Sequence, residues 1–147
     1  MKKFTQLETR TYWGTEAAGI LPICIKTKRL LIALRSEDVM EPNTYGIFGG
    51  KLDDHEDNHK KVAIRELYEE TEFDSNIILI QAYIFEDINF KYYNFLGLVE
   101  NEFEAILNWE NSKVIWMTLE EVLKLPNKHY GLKALIKESY DLILKYV

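Results

Sequence analysis

Residues Gly49–Phe73 read GGKLDDHEDNHKKVAIRELYEETEF, and the fold of the chain turns on how this stretch is parsed. It opens on a glycine pair, where the backbone either turns sharply or comes close to a ligand. It passes through an acidic, polar joint and then takes up a helical period. From Asp57 or Asn58 to Thr71, the residues Ala63, Ile64, Leu67, Tyr68 and Thr71 recur at about 3.6 residues per turn and predict one apolar face. Glu66, Glu69 and Glu70 fall within an arc of roughly 100° on the other side. Asp57 or Asn58 is the expected N-cap.

The segment HEDNH, His55–His59, matches the H-E-x-x-H pattern of a zinc protease helix. That reading needs residues 55–59 inside a helix. LDDHEDN instead follows a glycine pair, and its Asp57 and Asn58 start helices more readily than they continue them. No further histidine or glycine follows at the metzincin spacing, where Val62 and Arg65 stand. HEDNH is therefore read as the joint between the glycine pair and the helix.

Outward from this core the pattern is one of strands, a central helix, more strands and terminal helices. Residues 17–25 (AAGILPICI) and 30–35 (LLIALR) predict a hairpin across KTKR. SEDVMEPNTYG, with Pro42, Asn43 and Gly46, is a loop or a short broken strand entry. Residues 77–86 and 90–99 predict two strands joined by a turn at DIN, and KVIWMT (113–118) a shorter one. Thr118 and Glu121 form a capping box for LEEVLKL, which Pro126 ends. YGLKALIKESYDLILKYV is amphipathic and helical. This order predicts an α/β fold with a mixed sheet, and the 147 residues, free of repeats or Gly/Ser/Pro-rich linkers, predict a single domain over 1–147.

A composition of 47% hydrophobic and 13% aromatic residues supplies a core and argues against disorder. The net charge of −6 argues against binding along an extended nucleic-acid backbone, but is compatible with a metal-complexed nucleotide. Cys24, the only cysteine, lies in the apolar run ILPICI and reads as a buried hydrophobe. No segment approaches the ~20 apolar residues of a membrane span, and the two N-terminal lysines are not followed by an apolar stretch. A soluble, cytoplasmic protein is expected.

E-x-x-E-E strings are common on solvated helices. Here, however, Glu66 and Glu70 stack one turn apart, with Asp74 a further turn on, and among the three glutamates only Glu69 has a helical partner of opposite charge, Arg65. Each like-charge pair costs some tenths of a kcal/mol on a bare helix. A divalent cation would turn that repulsion into coordination, and an all-oxygen, water-retaining site suits Mg²⁺ or Mn²⁺ better than Zn²⁺. Beside a glycine pair, such a site suits cleavage of a diphosphate, where negative oxygens must be neutralised and a water held in line.

The stretch from Gly49 to Phe73 resembles the signature of the Nudix hydrolases, G-x5-E-x7-R-E-U-x-E-E-x-G-U, over about a sixth of the chain. The resemblance implies that family's α/β/α sandwich and hydrolysis of a nucleoside diphosphate linked to another moiety, with Mg²⁺ or Mn²⁺ required. Carried over by position, Gly50 matches the first glycine, Arg65 the arginine that orients the glutamates, and Glu66, Glu69 and Glu70 the metal-binding carboxylates. Glu66 or Glu69 would also help activate the water, so Arg65, Glu66 and Glu69 are the expected catalytic set. The leading acid falls on Asp57, with Glu56 as the alternative, because the loop is one residue longer than the pattern. The expected metal set is thus Gly50, Asp57, Glu66, Glu69 and Glu70. Glu72 replaces the late glycine, so the helix is expected to end without an αL glycine. Phe48 stands where many members have proline, and Arg35, Phe48, Gly49 and Gly50 are the expected substrate contacts.

A general base from a late loop would come from Glu100, Glu102 or Glu104 in VENEFEA. Tyr12, Trp13 and Tyr45 are candidates to stack on a base or to pack, and in the strand holding Tyr92 and Tyr93 alternation sends one ring to each side. His129 is expected to be an exposed side chain. Markers that some subfamilies carry for ADP-ribose or diadenosine polyphosphates are not found at the expected positions, so the substrate stays open. A small-molecule nucleotide is the expected partner, and a homodimer is expected by analogy alone. A nucleotide-binding module of the same fold without turnover is the alternative reading.

Overall fold

A computed structural model describes residues 15–147. The strands are β1 (Thr15–Cys24), β2 (Leu30–Arg35), β3 (Tyr45–Gly46), β4 (Phe48–Lys51), β5 (Ile78–Asp87), β6 (Phe90–Val99) and β7 (Asn111–Met117); the helices are α1 (His59–Thr71), α2 (Leu119–Leu123), α3 (Tyr130–Glu138) and α4 (Tyr140–Leu144). The strands form one mixed sheet in the order β3-β2-β1-β6-β5, with β4 pairing β1 and β7 pairing β2. β1 runs parallel to β6 from Thr15↔Phe90 to Cys24↔Val99, while β4 lies antiparallel to β1 with Gly19↔Gly49 and Ala18↔Gly50 opposed.

Alternation along the central strands builds two cores. Ala18 and Ile20, Leu31 and Ala33, and Phe95 pack with Val62, Ala63 and Leu67 of α1. Their neighbours Leu21 and Ile23, Leu30 and Ile32, Leu96 and Leu98 pack with Leu119, Val122, Leu132, Leu135, Ile136 and Ile143 of α2–α4. Period-2 strands with both faces covered account for the near-continuous apolar runs. The result is the expected α/β/α sandwich. Cys24 is buried, as its apolar setting implied. No described helix is long and apolar enough to cross a membrane.

Local signals behave as their chemistry dictates at several termini. Asn58 caps α1 by accepting from the Lys61 N–H, and the Thr118–Glu121 capping box starts α2. β5 and β6 form the expected hairpin, closing at Ile88–Asn89. The last segment is two helices rather than one, divided at Ser139.

One expectation is corrected and another is refined. The buried face of α1 is Val62, Ala63, Glu66, Leu67, Glu70 and Thr71, while Ile64 and Tyr68 are 42% and 49% exposed. The apolar stripe is rotated because α1 lies over the glycine-bearing edge of β4: a Cβ at Gly50 would stand 2.5 Å from the Glu66 carboxyl carbon. The missing side chain there is the room into which the carboxylate fits. At the other end α1 finishes without a glycine, as expected, and the residue in its place takes the left-handed conformation itself. Glu72 takes φ 61°, ψ 19° and returns its N–H to the Tyr68 carbonyl, at a cost that a glycine would avoid.

Candidate active site

The joint between Gly50 and α1 is organised by Arg65 and Glu56. The Arg65 guanidinium donates to Glu56 Oε2 (Nε, 3.1 Å) and Oε1 (Nη2, 2.8 Å), and through Nη1 to Glu66 (3.1 Å) and Glu69 (3.0 Å). Glu56 in turn accepts from the Asp53 N–H (2.8 Å), and these two hydrogen bonds hold its carboxyl below the usual range. Partial burial works against the charge on Arg65, but Glu56 and Glu69 outweigh it and hold the guanidinium protonated. The extra residue in the loop thus leaves an acid, Glu56, in reach of the motif arginine. Asp57 is exposed and lines an open cavity of about 480 Å³ with His59, Lys60 and Gln81.

The histidines of HEDNH are apart from this chemistry. His55 is exposed and precedes α1. His59 is the first residue of the helix, its Nε2 2.5 Å from Glu16 Oε1 and its ring stacked on Tyr93 at 3.6 Å between centroids.

Among the described residues, the carboxylates beyond the reach of Arg65 have no counter-cation. Glu66 and Glu70 are 8% and 3% exposed. With Glu110, which immediately precedes β7, they can each turn one oxygen to within 4.8 Å of the others. Glu70 accepts from the Gly49 N–H (3.0 Å) and from Asn111 Nδ2 (2.9 Å), so its position is fixed from two strands. Burial, and then the Glu110 charge, push the Glu70 carboxyl up to about 9. Burial, and then Glu69, push Glu66 up to about 7. Glu69 stands at the rim with its side chain 48% exposed, and Asn108 Nδ2 donates to its backbone carbonyl (3.0 Å).

Among the described residues, three buried or half-buried carboxylates with one arginine to the side are a donor set short of positive charge. All-oxygen ligation by acids that are otherwise driven towards their neutral forms fits a hard divalent cation. Glycine completes the surface. A Cβ at Gly49 would collide with the Tyr92 hydroxyl and with the Ala18 carbonyl (2.6 Å). Neither Gly49 nor Gly50 has a positive φ, so close approach, not a turn, is what requires them. Burial, then Glu70 and Glu66, raise the Tyr92 phenol further above its ordinary range.

The structure therefore brings together Gly49, Gly50, Arg65, Glu66, Glu69 and Glu70. It places others elsewhere. Phe48 is wholly buried in the core beneath α1 and has no exposed surface for a substrate. Arg35 donates through Nε and Nη2 to the Met40 carbonyl, and through Nε to that of Glu41, bracing the loop after β2. Glu102 pairs bidentately with Arg29 (2.7 Å twice), Glu100 lies 3.9 Å from Lys26, and Glu104 is exposed. Tyr45 packs on the core below α2–α4, and His129 is the half-buried N-cap of α3, accepting from the Gly131 N–H. Tyr12 and Trp13 lie outside the described residues. Sequence reasoning missed Glu110, Asn111 and Asn108. Their signal was position: with β7 beginning at Asn111 rather than Lys113, Glu110 sits at a strand mouth.

The comparisons with known proteins agree with this geometry. None of the curated proteins matches the chain. Among solved structures, a Nudix hydrolase from M. smegmatis, RenU, matches at a TM-score of 0.73 and 14% identity, over 92% of this chain and 88% of that one. A C. elegans Ap4A hydrolase matches at 0.69 and 18%, over 90% and 99%. The NUDIX domain of Shewanella oneidensis NrtR, complexed with ADP ribose, matches at 0.68 and 18%, over 87% of each. At such identities the likeness is one of fold. The model of the NUDIX domain, however, matches residues 14–138, and that span takes in the glycine pair, the arginine and every acid of the cluster. The chain belongs to the Nudix hydrolase family.

Proposed function

We propose that the protein is a Mg²⁺- or Mn²⁺-dependent pyrophosphohydrolase that cleaves the diphosphate linkage of a small nucleoside diphosphate derivative. The observation that carries this reading is the buried Glu66–Glu70–Glu110 cluster, short of positive charge and set against a glycine-lined strand. Glu66, Glu70 and Glu110 would hold the cation, with Glu69 at the rim. When bound, it would supply charge neutralisation for the phosphate oxygens and a lowered pKa for a water. Arg65 keeps Glu66 and Glu69 in one orientation, anchored by Glu56. Glu69, the helix carboxylate open to solvent, has the access a proton acceptor needs. Gly49 fixes Glu70 through its N–H, and the bare backbone of Gly49 and Gly50 gives a diphosphate room to approach. The ligands named for two fold neighbours, Ap4A and ADP ribose, both contain the linkage proposed.

The test is a panel of nucleoside triphosphates, nucleotide sugars, ADP-ribose, dinucleotide cofactors and diadenosine polyphosphates, with Mg²⁺ or Mn²⁺ and product analysis. Multiple turnover of at least one compound is expected, lost in Glu69→Gln and Glu70→Gln variants that remain folded. No hydrolysis of any member would overturn the proposal, and tight binding without product would favour the nucleotide-binding module.

A further inference from the structure

Like charges do not gather unaided. Glu66, Glu70 and Glu110 can each turn an oxygen to within 4.8 Å of the others, a range at which carboxylates push one another apart. Glu66 and Glu70 are carried inward on the buried face of α1. Glu110 is not: it stands half-buried in the turn before β7, where a change of rotamer is all its carboxylate needs to move outward.

Among the described residues, Asn108 opposes that movement. Its Nδ2 donates to Glu110 Oε1 (3.0 Å), and its Oδ1 accepts from the Glu110 backbone N–H (2.9 Å). The same Nδ2 donates to the Glu69 carbonyl (3.0 Å). An amide nitrogen carries two hydrogens, so both donations are made at once. Asn108 thus grips the carboxylate of Glu110, its backbone, and the helix that holds the other acids.

The grip falls where α1 has bonds to spare, because the last carbonyls of a helix lack partners within it. The Tyr68 carbonyl takes the Glu72 N–H, and the loop before β7 supplies two more donors, Asn108 Nδ2 to Glu69 and the Ile106 N–H to Thr71 (2.9 Å). Beyond β2, the Ser36 N–H fixes the Glu110 carbonyl (2.9 Å). The backbone of Glu110 is therefore held from both sides, and Asn108 extends that hold to the carboxylate. The chemistry of the donor matters as well. A neutral amide orients a carboxylate without supplying the charge that a cation would bring, whereas a lysine or arginine would do both. Asn111 treats Glu70 in the same way (2.9 Å).

We infer that Asn108 is a positioning residue, which holds Glu110 against the acids of α1 so that an arriving cation meets the three carboxylates already in place. The inference rests on the reading of Glu66, Glu70 and Glu110 as cation ligands.

A double-mutant cycle on cation affinity tests it, with Mg²⁺ or Mn²⁺ titrated into the metal-free protein by calorimetry. Asn108→Ala should weaken binding roughly ten-fold or more. In a Glu110→Gln background, itself weaker than wild type, the same change should cost less than about two-fold. Asn108→Ser keeps an oxygen for the Glu110 N–H, and with it the turn, but has no amide to hold the carboxylate. It should match the alanine variant in affinity while melting close to wild type. Undiminished affinity in both Asn108 variants, or a loss of the same size once Glu110 is neutralised, would overturn the inference and leave the cation site standing. Full affinity in Glu110→Gln would remove Glu110 from the ligand set, and the inference with it. None of these outcomes depends on turnover, so a protein that shows the coupling but hydrolyses nothing keeps the role of Asn108 and loses the hydrolase reading.

Discussion

Glu102 and Glu70 are both glutamates that cross the fold to a fixed partner, and they are in opposite electrical states. Glu102 meets Arg29 in a bidentate pair at 2.7 Å, and that hydrogen bonding holds its carboxyl below the usual range. Among the described residues Glu70 receives only neutral donors, Gly49 N–H and Asn111 Nδ2, with Glu66 and Glu110 as its charged neighbours, and burial pushes it up to about 9. A carboxylate supplied with a cation by the chain is structural. A carboxylate buried without one is poised to take a cation from solution.

The sharpest way to break the comparison is to neutralise each acid. Glu70→Gln is expected to lower hydrolysis by roughly two orders of magnitude or more, while the metal-free protein keeps its fold, because burial already favours the neutral acid. Activity within about ten-fold of wild type in Glu70→Gln would remove the distinction. The next effect is on stability. In the metal-free protein the folded state holds protons on Glu66 and Glu70 that the unfolded chain releases near pH 4.5. Stability should therefore fall by a few kcal/mol in all as pH rises from ~4.5 through about 7 and on to about 9. Mg²⁺ should flatten that fall, as thermal melts across the range with and without the cation would record. A metal-free melt that holds steady to pH 9 would contradict the shifts.

Glu102→Gln should do less. The half-exposed Arg29 pair is screened by solvent, so a small drop in melting temperature is expected with activity within about two-fold of wild type. The smallest effect lies at the end of α1, away from either acid. Glu72→Gly relieves a left-handed residue and should raise stability by up to about 1 kcal/mol in denaturant melts, with no change in cation dependence.

The two acids also show where sequence stops being informative. That Glu66, Glu69 and Glu70 share part of a helix surface follows from a 3.6-residue period, and the strands and caps follow from alternation and side-chain chemistry. Which way α1 faces does not, because Ile64 and Tyr68 look like core residues in any local window. Only the glycine at position 50, brought beneath the helix by β4, makes room for Glu66. The partners of Glu102 and Glu70, Arg29 and Asn111, lie 73 and 41 residues away. Those separations are settled by strand order, and so was Glu110, which carries no mark of its own in NWENSK. Glu56 shows the same limit on a small scale: counting back from Arg65 favours Asp57, whereas the longer loop presents its neighbour to the guanidinium.

The most direct test of the cation-seeking cluster is the number of protons released when Mg²⁺ or Mn²⁺ binds, measured by calorimetry at pH 8 in two buffers of different ionisation enthalpy. With Glu66 near 7 and Glu70 near 9, binding should release about one proton per protein, and Glu70→Gln should abolish that release. Cation binding with no proton released, or with the same release from Glu70→Gln, would contradict the account.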